Sequence, residues 1–389
     1  MALHKFRHIF IGIFLLIGTF LVYKFIYPDP RTWYEHYLFL AQSLLKLRVD
    51  VPNLPSFYQD TVTISGKVFL PFPPIPAVIL IPFILIAKNI NQQLVSIIFG
   101  AINTLLIYLL LKKFTNPKNS LILSLFFAFG TVAFWASVVG TTWYFAHTIA
   151  ITFLVLSIIS HKNEKYFLSG LLFALASLCR YPILVGGVFF LLELYKTPKR
   201  LMAFLSGAFI FIPVQLAYNF LRFGSVFDMG YYAVYKSYIN SGYPYTIRQL
   251  INPQLPYFGY MDIRNIPLHL FTFLVMPPII TDAFKIMPSP YGMGIVFTSP
   301  FLLLALKPNF KKITERNLFL GATFIAFVDF LHYMQGWVQF GYRFVLDFIP
   351  FLLIILAVKF KPKKIYFLLI IISIIVNFWG VKMAINLGW

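Results

Sequence analysis

Lysine and arginine arrive in short clusters along this chain, and between successive clusters lie long apolar runs that come in pairs. The clusters are Lys5/Arg7, Lys112/Lys113/Lys118, Lys162/Lys165, Lys196/Lys199/Arg200, Lys307/Lys311/Lys312/Arg316 and Lys359/Lys361/Lys363/Lys364. In a membrane protein such clusters mark the cytoplasmic side, because Lys and Arg resist translocation. The apolar runs are 8–27, 92–111, 120–138, 142–160, 165–179, 181–195, 201–221, 291–306, 317–333, 344–359 and 364–384. Paired runs between same-side clusters predict an all-α polytopic transmembrane bundle of about eleven helices. It forms one integral membrane domain over residues 1–389, with the N-terminus cytoplasmic and the C-terminus outside. The first run is long enough to span and is expected to be retained as a helix.

Composition enters as a check. The chain is 60% hydrophobic and 11% charged, against roughly 45–50% and about 25% in soluble domains. Lipid is therefore the expected solvent. The net charge of +20 would suggest nucleic acid in a soluble protein, but topological clustering accounts for it and no nucleic-acid partner is expected. The single cysteine, Cys179, excludes an intrachain disulfide and reads as a small buried residue.

Two long loops, 28–91 and 222–290, face outward in this topology. The segment IPAVILIPFILIAK (75–88) is apolar but short, carries Pro76 and Pro82, and would invert the topology if it crossed. It is expected to be an interfacial or re-entrant helix. TWYEHYLFLAQSLLKLRVD (32–50) predicts an amphipathic surface helix with Glu35, His36 and Gln42 on its polar edge. TVTISGKVF (61–69) reads as a small hairpin or an extended stretch with a turn at Gly66-Lys67, and the prolines that follow bar a regular helix until about Ile75.

Most carboxylates fall on the outer side: Asp29, Glu35, Asp50, Asp60, Asp228, Asp262, Asp282, Asp329 and Asp347. Arg180, Arg222, Arg264 and Arg343 stand isolated at outer helix ends. Charge beside hydrocarbon is costly and marks a candidate site, and guanidinium suits phosphate oxygens. Snorkelling is the bland alternative for any one of them. Asp60 and Glu35 are candidate general bases; a turn-forming role is the alternative for Asp60. His147, one turn into its helix, could hydrogen-bond a ligand or simply be a satisfied buried histidine. The histidines show no metal-ligand spacing, and no P-loop, G-x-S-x-G or dinucleotide fingerprint is present.

Four stretches, EHYLFLAQSLL (35–45), DTVTISGKVFLPFPPIPAVILIP (60–82), YNFLRFGSVFDMGY (218–231) and FGYRFVLDFIPFL (340–352), together with the hydropathy pattern, resemble the GT-C superfamily of membrane glycosyltransferases, in a predicted bacterial branch. The resemblance implies a polyprenyl-phosphate-linked sugar donor, an acceptor lipid, glycan or protein, and a cell-membrane enzyme active on its extracytoplasmic face. It implies an inverting displacement with a first-loop carboxylate, Asp60 or Glu35, as base. Arg222 and Arg343, then Arg180 and Arg264, would bind the leaving phosphate, with His36, His147, Lys67 and Tyr231 as further substrate contacts. Where several branches carry adjacent acids this chain has Glu35-His36, so a divalent metal is not supported and no cofactor is expected. A transporter or flippase of a lipid-linked sugar is the competing class, although the chain lacks the internal symmetry common there.

Overall fold

The computed structural model describes residues 2–27, 32–87, 90–241, 246, 248–249, 252 and 254–389, with side chains from Phe10 onward. Asp29 and the side chains of Lys5 and Arg7 lie outside the described residues. The chain is mostly helical: α1 (Ala2–Ile26), α2 (His36–Leu44), a hairpin of β1 (Val62–Ile64) and β2 (Lys67–Phe69), then α3 (Ile75–Ile86), α4 (Gln92–Leu111), α5 (Pro117–Phe129), α6 (Ala133–Val139) and α7 (Thr142–Lys162). After these come α8 (Tyr166–Ser177), a 3-10 turn Tyr181–Gly187 running into α9 (Val188–Leu194), α10 (Pro198–Phe209), α11 (Ile212–Phe223) and α12 (Tyr231–Ser241). The last third holds α13 (Ile266–Leu274), the hairpin β3 (Ile279–Ile280) and β4 (Ile286–Met287), α14 (Ile295–Thr298), α15 (Ile313–Leu331), α16 (Ile349–Lys359) and α17 (Lys364–Asn386).

Among the described residues, α4, α7, α17 and the continuous pair α10–α11 are long and apolar enough to cross a bilayer, and the α5–α6 pair, bent by 54°, makes a fifth. Their outward faces are apolar. On α1, Phe10, Ile13, Phe14, Ile17, Leu21 and Phe25 are exposed in one helical stripe, which in water would be a large penalty and in lipid is none. The run 291–306, expected as one helix, is instead the short α14 followed by a 3-10 segment Pro300–Leu306. The break falls at Pro300, which has no N–H to give the helix and whose ring bars the preceding Ser299 from helical geometry; Ser299 sits at φ −149° and ψ 58°.

Because hydrocarbon offers no hydrophobic drive between helices, polar exchanges and small residues hold them together. Asn103 of α4 donates to the Thr148 carbonyl of α7 at 2.8 Å and accepts from the Thr152 hydroxyl at 2.6 Å. Ser157 and Ser169 trade hydroxyl-to-carbonyl bonds between α7 and α8 at 2.8 and 2.9 Å. Gly170 and Gly207 let α8 and α10 touch: a Cβ on Gly170 would stand 1.9 Å from the Phe204 oxygen, and one on Gly207 2.2 Å from the Phe167 oxygen.

The basic clusters meet at one end of the bundle. Lys113 at the close of α4 donates to Asn163 at 2.8 Å, Lys162 pairs with Glu193 at 3.6 Å, and Glu193 accepts from Asn317 at 2.7 Å. Lys359 donates to the Lys307 carbonyl at 2.5 Å. From there α7, with 21 residues, spans about 30 Å to its opposite end.

At that opposite end lie α2, α3 and the β1–β2 hairpin. The hairpin register pairs Val62 with Phe69 and Ile64 with Lys67. Its turn residues Ser65 and Gly66 both have positive φ, 49° and 75°, the primed geometry that matches strand twist. Helix α3, 12 residues long, is about 18 Å, well short of the roughly 30 Å hydrocarbon core. It packs on α2, and its Ala77 and Leu80 are buried. The surface-helix expectation for 32–50 needs correction. The helix is only His36–Leu44, and Glu35 and His36 turn inward and are buried rather than lying on a polar edge.

Candidate active site

A cavity of about 620 Å³ opens at the end of the bundle remote from the lysines. The hairpin delivers one wall. Asp60, two residues before β1, lines the cavity with φ of +56°, a left-handed conformation that short polar residues tolerate better than most. The Trp143 indole N–H donates to its Oδ2 at 2.7 Å and the Tyr238 hydroxyl to its Oδ1 at 2.5 Å. Burial raises the Asp60 pKa above the usual carboxylate value, while the Tyr238 and Trp143 bonds and the Arg343 charge oppose that rise.

Helix α7 forms a second wall, and its first turns hold several groups at once. Trp143 fixes Asp60. The ring of Tyr144 lies 5.8 Å from the Arg343 guanidinium carbon. His147, buried one turn deeper, donates from Nδ1 to Asp347 at 2.7 Å. Asp347 also receives Arg180, Nε at 3.0 Å and Nη2 at 3.0 Å, and Arg180 Nη2 stands 3.7 Å from Asp329 Oδ1. Arg180, Asp329, His332 and Arg343 all line the cavity with Asp60, beside Tyr231, Tyr260 and Trp337. Among the described residues Arg343 makes no close ion pair, while the Tyr144 hydroxyl and the charge of Asp60 act on it.

The other residues singled out from sequence lie elsewhere. Glu35 is buried away from the cavity lining, its Oε1 accepting the backbone N–H of Gln92 at 2.7 Å at the start of α4. Burial raises its pKa, partly offset by that bond. His36 is bridged by Thr142 and the Gln59 carbonyl, each at 2.8 Å, and burial pushes its pKa down to about 4. Arg222, the first-choice phosphate ligand from sequence, is also not in the lining. Its guanidinium lies 3.7 Å from the Tyr218 ring centroid and binds the Leu70 carbonyl, with Asn219 Oδ1 at 3.1 Å. It holds the 70–72 backbone that forms part of the cavity wall. Arg264 is exposed and clipped to Asp262 at 2.7 Å, which holds the Asp262 carboxyl well below its usual range. Lys67 is exposed on β2. Of the sequence candidates, Asp60, Arg180, Arg343 and Tyr231 come together in the cavity, with His147 directly behind its wall.

Sequence reasoning did not single out Trp143, Tyr238, Asp329 or His332 as site residues. Asp329 carried a signal, as an acid inside the apolar run FLGATFIAFVDFL. The two aromatic donors carried none, in a chain with 23 tyrosines and 6 tryptophans. Among the described residues no three His, Cys, Asp or Glu side chains converge as a metal-binding group.

Residues 72–218, from the Pro-rich stretch to α11, match the family model described as dolichyl-phosphate-mannose-protein mannosyltransferase, a GT-C family. This stretch of the chain is therefore similar to a GT-C glycosyltransferase family. The chain's apolar helices make it a multi-pass membrane protein, and the family uses a polyprenyl-phosphate-linked sugar. The matched stretch contains Trp143, His147 and Arg180 and stops short of Asp60 on one side and of Asp329 and Arg343 on the other. No curated protein and no solved structure matches the chain significantly.

Proposed function

We propose that the chain is a GT-C glycosyltransferase that moves a sugar from a polyprenyl-phosphate donor to an acceptor hydroxyl on the extracytoplasmic face, with inversion, using Asp60 as general base. The observation that carries the reading is the shared cavity of Asp60 and Arg343: a carboxylate oriented by two donors, and a cation that makes no close ion pair among the described residues. The acceptor O–H gives its proton to Asp60 as its oxygen attacks the anomeric carbon. The bond from that carbon to the phosphate oxygen breaks, and the polyprenyl phosphate leaves with the electron pair. Arg343 stabilises the charge gathering on it.

Glu35 has no part in this reading, because its carboxylate is committed to the Gln92 amide. Arg222 and His36 are assigned to holding the wall for the same kind of reason. The extracytoplasmic assignment is supported by the distance between the cavity and the lysine clusters, which gather at the far end of α7. Tyr231 and Tyr260 offer faces against which a sugar ring can pack. The acceptor, whether lipid, glycan or protein, would enter from the outer side.

The test is reconstitution of the purified protein with polyprenyl-phosphate sugars and candidate acceptors, reading release of polyprenyl phosphate and the configuration of the product. Retention of configuration would remove the inverting mechanism. Sugar crossing the vesicle without bond cleavage would move the protein to the transporter class.

A further inference from the structure

Asp329 is 3% exposed and lines the cavity, yet its Oδ2 has no hydrogen-bond partner among the described residues. Buried polar atoms are normally satisfied, and leaving one bare costs about 1–3 kcal/mol, so an orphaned oxygen on a cavity wall points to a missing ligand group. Its neighbour is a donor: Arg180 Nη2 lies 3.7 Å from the other carboxylate oxygen. Arg180 is itself fixed in place, because Asp347 takes its Nε and Nη2 and His147 braces Asp347 from behind. One rigid donor thus stands beside one free acceptor. A sugar hydroxyl both donates and accepts, so two adjacent hydroxyls on a ring answer this pair, and Tyr231 and Tyr260 line the same space.

We infer that Asp329 and Arg180 form the subsite that holds the hydroxyls of the donor's sugar ring, an inference that rests on the glycosyltransfer reading above. The donor is favoured over the acceptor by position. The Phe344 ring lies 5.5 Å from the Arg180 guanidinium carbon and 5.2 Å from that of Arg343. The sugar subsite and the phosphate-binding cation therefore flank a single aromatic ring, a proximity that suits a sugar joined directly to its phosphate.

The experiment compares two probes on the purified full chain in detergent: a short-chain polyprenyl phosphate, and the same lipid bearing a hexose, chosen as the tightest binder from mannose, glucose and galactose. Asp329→Ala is expected to weaken the sugar-bearing probe by roughly tenfold, the scale of one lost hydrogen bond. The bare lipid phosphate should bind within about twofold of wild type on the same scale. Arg343→Gln should weaken both probes together. If Asp329→Ala does not insert, Asp329→Asn gives the same comparison with the shape preserved, and a smaller loss confined to the sugar-bearing probe. Equal loss of both probes, or loss of neither, overturns the sugar subsite while leaving the glycosyltransfer reading intact. Wild-type protein that binds neither probe overturns both.

Discussion

Replacing Asp60 by Asn changes one atom in a position where almost nothing else has to move. The amide oxygen can accept the Trp143 indole N–H that now sits at 2.7 Å, and the amide nitrogen can donate to the Tyr238 oxygen, which accepts as readily as it donates. The left-handed φ of +56° also suits Asn. Folding stability should therefore stay within about 1 kcal/mol of wild type, the scale of one ordinary hydrogen bond. Proton abstraction, in contrast, is lost outright. A positioned general base contributes typically 10²–10⁴-fold, so transfer should fall by about 3–5 kcal/mol in activation free energy, with donor binding unchanged. Asp60→Ala is the contrasting case. It strands the indole donor and places a side chain with no polar atom in a left-handed conformation, for a loss of about 2–3 kcal/mol of stability. The assay is release of polyprenyl phosphate by purified protein in nanodiscs, beside a thermal melt of each variant. The reasoning fails if Asp60→Asn transfers sugar within about tenfold of wild type.

Other consequences follow from the same contacts. Tyr238→Phe removes a donor that favours the charged form of Asp60 and so opposes the effect of burial. The carboxyl will hold its proton to higher pH, and the acid limb of kcat/KM should move upward while the rate on the plateau changes little. A limb that stays put or moves to lower pH in the pH profile contradicts the assignment. Arg222→Ala breaks the ties to the Leu70 and Phe72 carbonyls and the stack on Tyr218. It should cost about 2–4 kcal/mol in thermal or denaturant unfolding, with Lys restoring only part because it lacks the planar fork. Glu35→Ala should lower stability by about 1–2 kcal/mol through the freed Gln92 amide yet leave turnover per folded molecule unchanged. A collapse of turnover in a folded Glu35 variant would return that residue to the chemistry.

The parts of this molecule that could be read from sequence are those written locally. The turn placed at Gly66-Lys67, which the structure puts one residue earlier at Ser65-Gly66, the shortness of 75–88 and the apolar runs each depend on neighbours within a few residues, and the structure has a hairpin, a short helix and apolar helices there. The run 291–306 misled because hydropathy does not register the donor missing at Pro300. Site residues were harder, because their roles are set across long separations. Arg222 looked like a phosphate ligand until its partner proved to be Leu70, 152 positions away. Arg180 and Asp347 are 167 apart, and Asp60 and Tyr238 are 178 apart. Glu35 and Asp60 could not be separated from sequence because both are acids in one loop. What divides them is that one faces a backbone amide and the other a cavity.

The opening of α7 has a consequence for how such a site can change. Trp143, Tyr144 and His147 fall within five consecutive positions and reach, respectively, Asp60, Arg343 and Asp347. They share a phase. Inserting or deleting one residue among them would turn every later side chain by about 100° around the helix and would undo several alignments in a single step. Loop residues that line the cavity, such as Met229 or Tyr260, lie outside that helical phase. Variation in what the cavity accepts should therefore be sought in the loops, and the spacing at the head of α7 treated as the chain's internal ruler.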